Sequence, residues 1–152
     1  MLAPLCALLA AACARPAPRP IAYGQEPCAH CHMTIADPRF AGELVTRKGR
    51  IYVFDDVDCL AAFSREGMVP AAEVQSLWVN DFLHPEQRLE ATRALFHRSA
   101  DRHTPMASGL AAFRPGAEAD SVRGAGGTLE SWDQVLAHPS DHSAHSRTAP
   151  GA

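Results

Sequence analysis

Short apolar runs separated by turn residues recur along the chain, a pattern of small strands and helices rather than long ones. The β-prone runs 40–47 and 51–54 flank Lys48-Gly49 and predict a hairpin. Asp55 and Asp56 can cap a short helix over 57–65, with Leu60, Ala61 and Phe63 on its apolar side and Gly67 at its end. Residues 75–80, with Leu77, Trp78 and Val79, predict another strand. Residues 85–97 are ambiguous: Leu, Glu, Ala and Arg give good helix propensity, with a strand or two short strands as the alternative. After a loop over 103–109 come a short strand at 110–113, a glycine turn at 124–127 and a short run at 128–130. Ser131 caps a last helix over 132–137, and the polar stretch from 138 on is expected to be disordered. Together the elements predict an α+β fold of two small units, 27–81 and 82–138, followed by a His-containing tail at 139–152.

The N-terminus departs from this pattern. Residues 2–12 are apolar and small and end in Ala10-Ala11-Ala12-Cys13. That reads as a secretory signal peptide, residues 1–12, with lipidation of Cys13 after cleavage. An apolar N-terminal helix of a cytosolic protein is the alternative. The Pro-rich stretch Arg15-Pro16-Ala17-Pro18-Arg19-Pro20 favours a flexible tether over 13–26. Ala14, not an acidic residue, stands directly after Cys13, so the expected location is the periplasmic face of a membrane, more readily the outer one.

The chain has 152 residues and a net charge of −3, which gives no electrostatic footprint for nucleic acid. No apolar run approaches the roughly 20 residues of a membrane-spanning helix. Catalytic triads, phosphate loops and dinucleotide fingerprints are absent from the sequence, and no enzymatic activity is expected.

Cysteine usage narrows the chemistry. With Cys6 removed and Cys13 lipidated, Cys28, Cys31 and Cys59 remain, an odd number that full disulfide pairing cannot use. Two of them lie in Cys28-Ala29-His30-Cys31-His32-Met33, where two thiols, two imidazoles and a thioether share six residues. Soft sulfur ligands select Cu(I), zinc or iron–sulfur centres. A redox CxxC needs a strand–helix context, whereas a turn and hairpin follow here. Zinc would need further ligands, such as Cys59 and a histidine. Cys28-Ala29-His30-Cys31-His32 also matches the c-type haem motif, with His32 as proximal and Met106 as distal ligand. The fourth option is Cu(I), with Cys31 and Met33 on one face of an extended segment. Met106 sits in a polar loop three residues after His103, where there is little core for it to fill. Cys59 is either a small buried hydrophobe or a third thiol of the cluster. His84 and His97 read as surface residues. His138, His142 and His145 form a loose tail, solvated or metal-capturing.

These pieces resemble the NosL family of copper-binding periplasmic lipoproteins, accessory to nitrous-oxide reductase. The resemblance rests on Cys31-His32-Met33-Thr34-Ile35, on 41–45, on Phe54-Asp55-Asp56-Val57-Asp58-Cys59-Leu60, on Met106-Ala107-Ser108-Gly109 and on Gly126-Gly127 followed by Trp132. It implies two ββαβ-like units and a Cu(I) carrier serving a client copper enzyme and its assembly machinery, most often nitrous-oxide reductase. The family's Cys-x-Met falls on Cys31 and Met33 and its later loop methionine on Met106. Cys28 is extra relative to some members, and His103, Cys59 and His32 are further candidate ligands. An electron-transfer cytochrome and a structural zinc module remain the competing readings.

Overall fold

The structure is a computed structural model and describes residues 15–140. The signal-like stretch, Cys6, Cys13, His142 and His145 lie outside the described residues. The hairpin forms as expected, from β1 (Gly42–Thr46) and β2 (Ile51–Phe54) with Leu44 opposite Tyr52. Helix α1 (Val57–Arg65) follows at once, because the Asp56 carboxylate accepts a hydrogen bond from the Asp58 N–H and caps its first turn. Strand β3 (Val74–Asn80) returns to the free edge of β1, and β4 (Arg88–Glu90) pairs with β3, giving an antiparallel sheet in the order β2-β1-β3-β4.

The second sheet has the order β6-β5-β7, built from β5 (Leu95–Arg98), β6 (Leu110–Phe113) and β7 (Thr128–Glu130). Helix α2 (Ala117–Arg123) connects β6 to β7, and α3 (Trp132–Ala137) closes the described fold on a Ser131–Gln134 capping box. Both sheets therefore follow a ββαβ plan, and the fold is α+β.

Four readings of the sequence change. Residues 85–97 hold no α-helix but two short strands, with Val79 paired to Leu89 and Phe96 to Ala112, joined by a single 3-10 turn at Ala91–Arg93. Tertiary pairing overrides the helix propensity of that stretch. Strand β4, placed by its number in the second unit, belongs to the first sheet. Helix α2 was not expected; it buries only Ala119 and so leaves almost no apolar stripe to read. His97 is buried, its Nε2 donating to the Gly126 carbonyl at 2.7 Å and its Nδ1 accepting from Arg102 at 3.0 Å.

Both ends of the described chain are also more fixed than their composition suggests. From Arg19 on, the stretch read as tether is docked on the first sheet. Arg19 pairs with Glu26, its N–H donates to buried Glu43, and Arg88 binds both Glu43 and the Arg19 carbonyl. At the other end Ser140, read as part of a disordered tail, is buried. Its hydroxyl donates to Asp58 at 2.9 Å and accepts from Arg98, so it satisfies a carboxylate that α1 buries.

One core serves both sheets. Leu44, Phe54 and Val79 from the first sheet join Leu60 of α1, Phe96 and Leu110 of the second sheet, and Trp132 and Val135 of α3. Each fully buried Phe or Leu contributes roughly 1.5–3 kcal/mol of transfer free energy. Close approach of α1 to the first sheet depends on Gly42. A Cβ there would stand 3.1 Å from both Leu60 Cδ2 and the Trp78 carbonyl. The N-terminus of α1 is thereby held against the β1–β2 hairpin, and the CxxC loop packs onto the same place through an Ala29 N–H bond to the Val53 carbonyl.

Candidate metal site

The segment from Cys28 to Met33 folds into a closed loop. Pro27 and Thr34 form an isolated bridge, the Cys28 N–H donates to the Met33 carbonyl at 2.8 Å, and the His32 N–H donates to the Cys28 carbonyl at 3.1 Å. Closing so small a loop requires a left-handed residue, and His32 supplies it at φ 64°. The result turns backbone N–H groups toward sulfur. Cys28 Sγ accepts from the N–H groups of His30, Cys31 and Asp55, and Cys31 Sγ accepts from that of Met33. Such donors favour the charged form of a thiol.

Helix α1 brings the third thiol. Cys59 lies in its first turn, and Asp55 precedes its cap. Cys28, Cys31 and Cys59 each offer a sulfur, and Asp55 a carboxylate oxygen, all within 4.8 Å of one another. All three thiols are free. Cys28 and Cys59 are buried, whereas Cys31 is half-buried and donates to Asp55 Oδ1 at 3.3 Å. The other Asp55 oxygen, Oδ2, is buried and accepts no hydrogen bond. A buried carboxylate oxygen left without a donor costs free energy unless a cation or water meets it.

The thiols divide the proton load unequally. Cys59 donates to Cys28, and this bond, with the backbone donors, lowers Cys28 to about 6 against the cost of burial. Burial is the main force raising Cys31 to about 12, helped by the neighbouring Cys28 thiolate and Asp55. Cys59 is pushed far upward, first because it holds the proton shared with Cys28. The cluster thus offers one ready thiolate and two thiol protons that an incoming soft cation would displace.

A second loop closes over the cap of α1. Asp56 Oδ2 accepts from the Met106 N–H and Asp56 Oδ1 from the Ser108 hydroxyl, both at 2.9 Å. Ala107 in this loop has φ 53°, and Gly109 passes so near β5 that a Cβ would lie 2.2 Å from the Ser99 carbonyl. Met106 is half-buried against the shared core and fixed, through Asp56, next to the residues that carry Asp55 and Cys59. Met33 stands at the rim, 44% exposed. His32 and His103 are exposed on the loops that carry Met33 and Met106.

The structure therefore gathers Cys28, Cys31 and Cys59, places Met33 on the loop that carries two of them, and ties the Met106 backbone to Asp56, the residue that caps the helix of the third. It adds Asp55, which the sequence suggested only as a cap. Nothing in the spacing separates Asp55 from Asp56. The fold does, because one turns to the helix N–H and the other to the thiols. The same geometry disfavours haem attachment at the CxxCH motif. Cys28 is wholly buried and engaged with Cys59, so its sulfur does not face a cofactor at the surface.

The NosL family model matches residues 20–138. Among solved structures, the crystal structure of the copper chaperone NosL from Shewanella denitrificans is similar in fold, with a TM-score of 0.65 and 19% sequence identity. The match covers 77% of this chain and 94% of that one. No curated protein matches significantly.

Proposed function

This chain belongs to the NosL family, and from that premise we propose that it is a periplasmic, lipid-anchored metallochaperone that carries Cu(I) as cargo. The observation that carries this reading is the convergence of three free thiols and Asp55 within 4.8 Å. Three sulfurs are a soft donor set, suited to Cu(I). Cys28 receives the ion first as the ready thiolate. Cys31, the half-buried thiol, is the second ligand and faces the approach. Cys59 completes the sulfur set after giving up its proton. Met33 and Met106 supply thioethers at the edge, weak ligands that can hold the ion while a partner's ligand displaces a thiolate. Transfer by ligand exchange never frees the ion.

The proposed client is a multicopper enzyme, nitrous-oxide reductase by family kinship, reached by a domain tethered through Cys13. Anaerobic titration against a Cu(I)-specific chelator tests the site. Cys31→Ser and Met106→Leu are expected each to weaken Cu(I) binding about tenfold or more with an unchanged circular dichroism spectrum. Unchanged affinity in both variants refutes this ligand assignment.

One observation favours a second reading. Asp55 gives the cluster a fourth, hard donor, and three cysteines with one carboxylate can complete the four-coordinate set of a structural zinc site. That reading requires zinc to survive purification and the fold to collapse on chelation. A stable metal-free protein rejects it.

A further inference from the structure

A second cluster of ligating groups lies away from the thiols, on the side where the loop after β3 meets helix α2. A carboxylate oxygen of Asp81, a ring nitrogen of His84 and a carboxylate oxygen of Glu118 all lie within 4.8 Å of one another. The backbone fixes the three from two elements. Asp81 directly follows β3, and its N–H donates to the Gln87 carbonyl at 2.9 Å. The Gln87 N–H donates to the His84 carbonyl at 2.8 Å, which closes a turn that presents His84 beside Asp81. Glu118 comes from the first turn of α2. The neighbouring Phe82 N–H is bonded to the Ala112 carbonyl of β6, so the turn is held against the second sheet.

The polar bookkeeping of this cluster does not close with protein groups alone. Asp81 is entirely buried. Its Oδ1 accepts from the Leu83 N–H at 3.1 Å, but its Oδ2 accepts no hydrogen bond, and neither does the buried Oε2 of Glu118. Arg114 reaches Asp81 Oδ2 only at the limit of an ion pair, 4.0 Å from its Nε, and spends a guanidinium N–H on Gln87. His84 Nδ1 stands 3.6 Å from Glu118 Oε1, too long for a good hydrogen bond. Two carboxylates face one imidazole, and among the described residues the one arginine paired with Asp81 is at 4.0 Å. A buried carboxylate without donors is stabilised by a cation it can coordinate.

We infer that Asp81, His84 and Glu118 form a binding site for a borderline divalent cation of the zinc type. One nitrogen and two oxygens are ligands such an ion accepts, and water can complete the coordination because the His84 side chain is 46% exposed. The set contains no sulfur, so it is chemically distinct from the thiol cluster and does not depend on the copper reading. The ion fastens α2, which has no side-chain cap of its own, to the turn between β3 and β4.

Cobalt(II) distinguishes the two clusters in one sample. Bound to thiolates it gives intense sulfur-to-metal charge-transfer absorption; bound to imidazole and carboxylates it gives none. The untagged full chain is titrated with Co2+, reduced and anaerobic, and bound metal is counted by equilibrium dialysis. The expected result is one Co2+ per chain that adds no charge-transfer absorption and is displaced by Zn2+. His84→Ala and Glu118→Gln are expected to lose that ion, with circular dichroism unchanged and any thiolate-bound Co2+ retained. Two results overturn the site: wild-type protein that takes up no Co2+ outside the thiolate band, or variants that take up as much of it as wild type. Both substitutions lie at or near the surface, and Asp81→Asn provides a third variant at the buried ligand.

Discussion

Cys59 acts on the thiol cluster through a proton as well as through its sulfur. Its hydrogen bond to Cys28 is the largest influence holding Cys28 near 6. Cys59→Ala removes that donor while leaving a small apolar side chain in α1, so the Cys28 titration is expected to move up toward the ordinary thiol range. Ultraviolet absorbance of the thiolate, followed against pH, reads this directly; an unmoved lowest titration would show that backbone donors suffice. Glu26 allows a separate test at this scale. Its hydrogen bonds from Arg19, then that from the Ala22 N–H, lower its carboxyl to about 2 from an ordinary value of 4.5. A depressed carboxyl stabilises the fold above its unfolded value and loses that contribution as pH falls through its folded value. Wild-type stability is therefore expected to drop between about pH 4.5 and 2, and Glu26→Gln to flatten that part of the profile in urea denaturation at stepped pH.

Among the elements, α1 with its cap organises the site. Asp56 accepts from the Asp58 N–H, the Met106 N–H and the Ser108 hydroxyl with one buried carboxylate. Loss of a helix cap costs about 1 kcal/mol, and donors stranded in the interior add about 1–3 kcal/mol. Asp56→Ala is accordingly expected to destabilise the protein by about 2–4 kcal/mol in denaturant titration. It is also expected to speed amide hydrogen exchange at Met106 and Ser108 more than in the β1–β2 hairpin. Equal acceleration in both places would mean that the loop is held by other contacts. The cap, the Cys59 thiol and the CxxC loop meet because only two residues, Asp55 and Asp56, separate β2 from α1, so the helix has no freedom to place Cys59 elsewhere.

At the scale of the whole molecule, the two ββαβ sheets are not independent bodies. Phe96, Leu110 and Trp132 pack in the same core as Leu44, Phe54 and Leu60, and α1 touches both β6 and α3. The Met106 loop meets the Asp56 cap of α1 for this reason. It leaves and re-enters the second sheet, and that sheet is locked onto the helix that carries Cys59. An intact shared core keeps the Met106 loop on the cap of α1, so Cu(I) affinity and global stability are expected to fall together in variants of Phe96 or Leu60. In variants of Met33, at the exposed rim, affinity is expected to fall while stability holds. Parallel chelator competition and denaturant titration separate the two classes.

Local chemistry was legible in the chain itself. The hairpin around Lys48-Gly49, the capped helix after Asp55-Asp56, the Ser131 cap and the grouping of Cys28, Cys31 and Met33 all depend on neighbours in sequence, where turn and cap residues act over a few positions. Long-range placement was not. The strand state of residues 88–90 and 95–98 came from pairing with β3 and β6, because helix propensity is worth less than a ladder of partners. Asp55 and Asp56 are adjacent and alike, yet the fold turns one to the thiols and the other to the helix and the Met106 loop. Cys59 became part of the cluster, and Asp81, His84 and Glu118 a second one, only when the chain brought distant residues together. Sequence carries the identity of ligands; their convergence is a property of packing, because it depends on contacts between elements far apart along the chain.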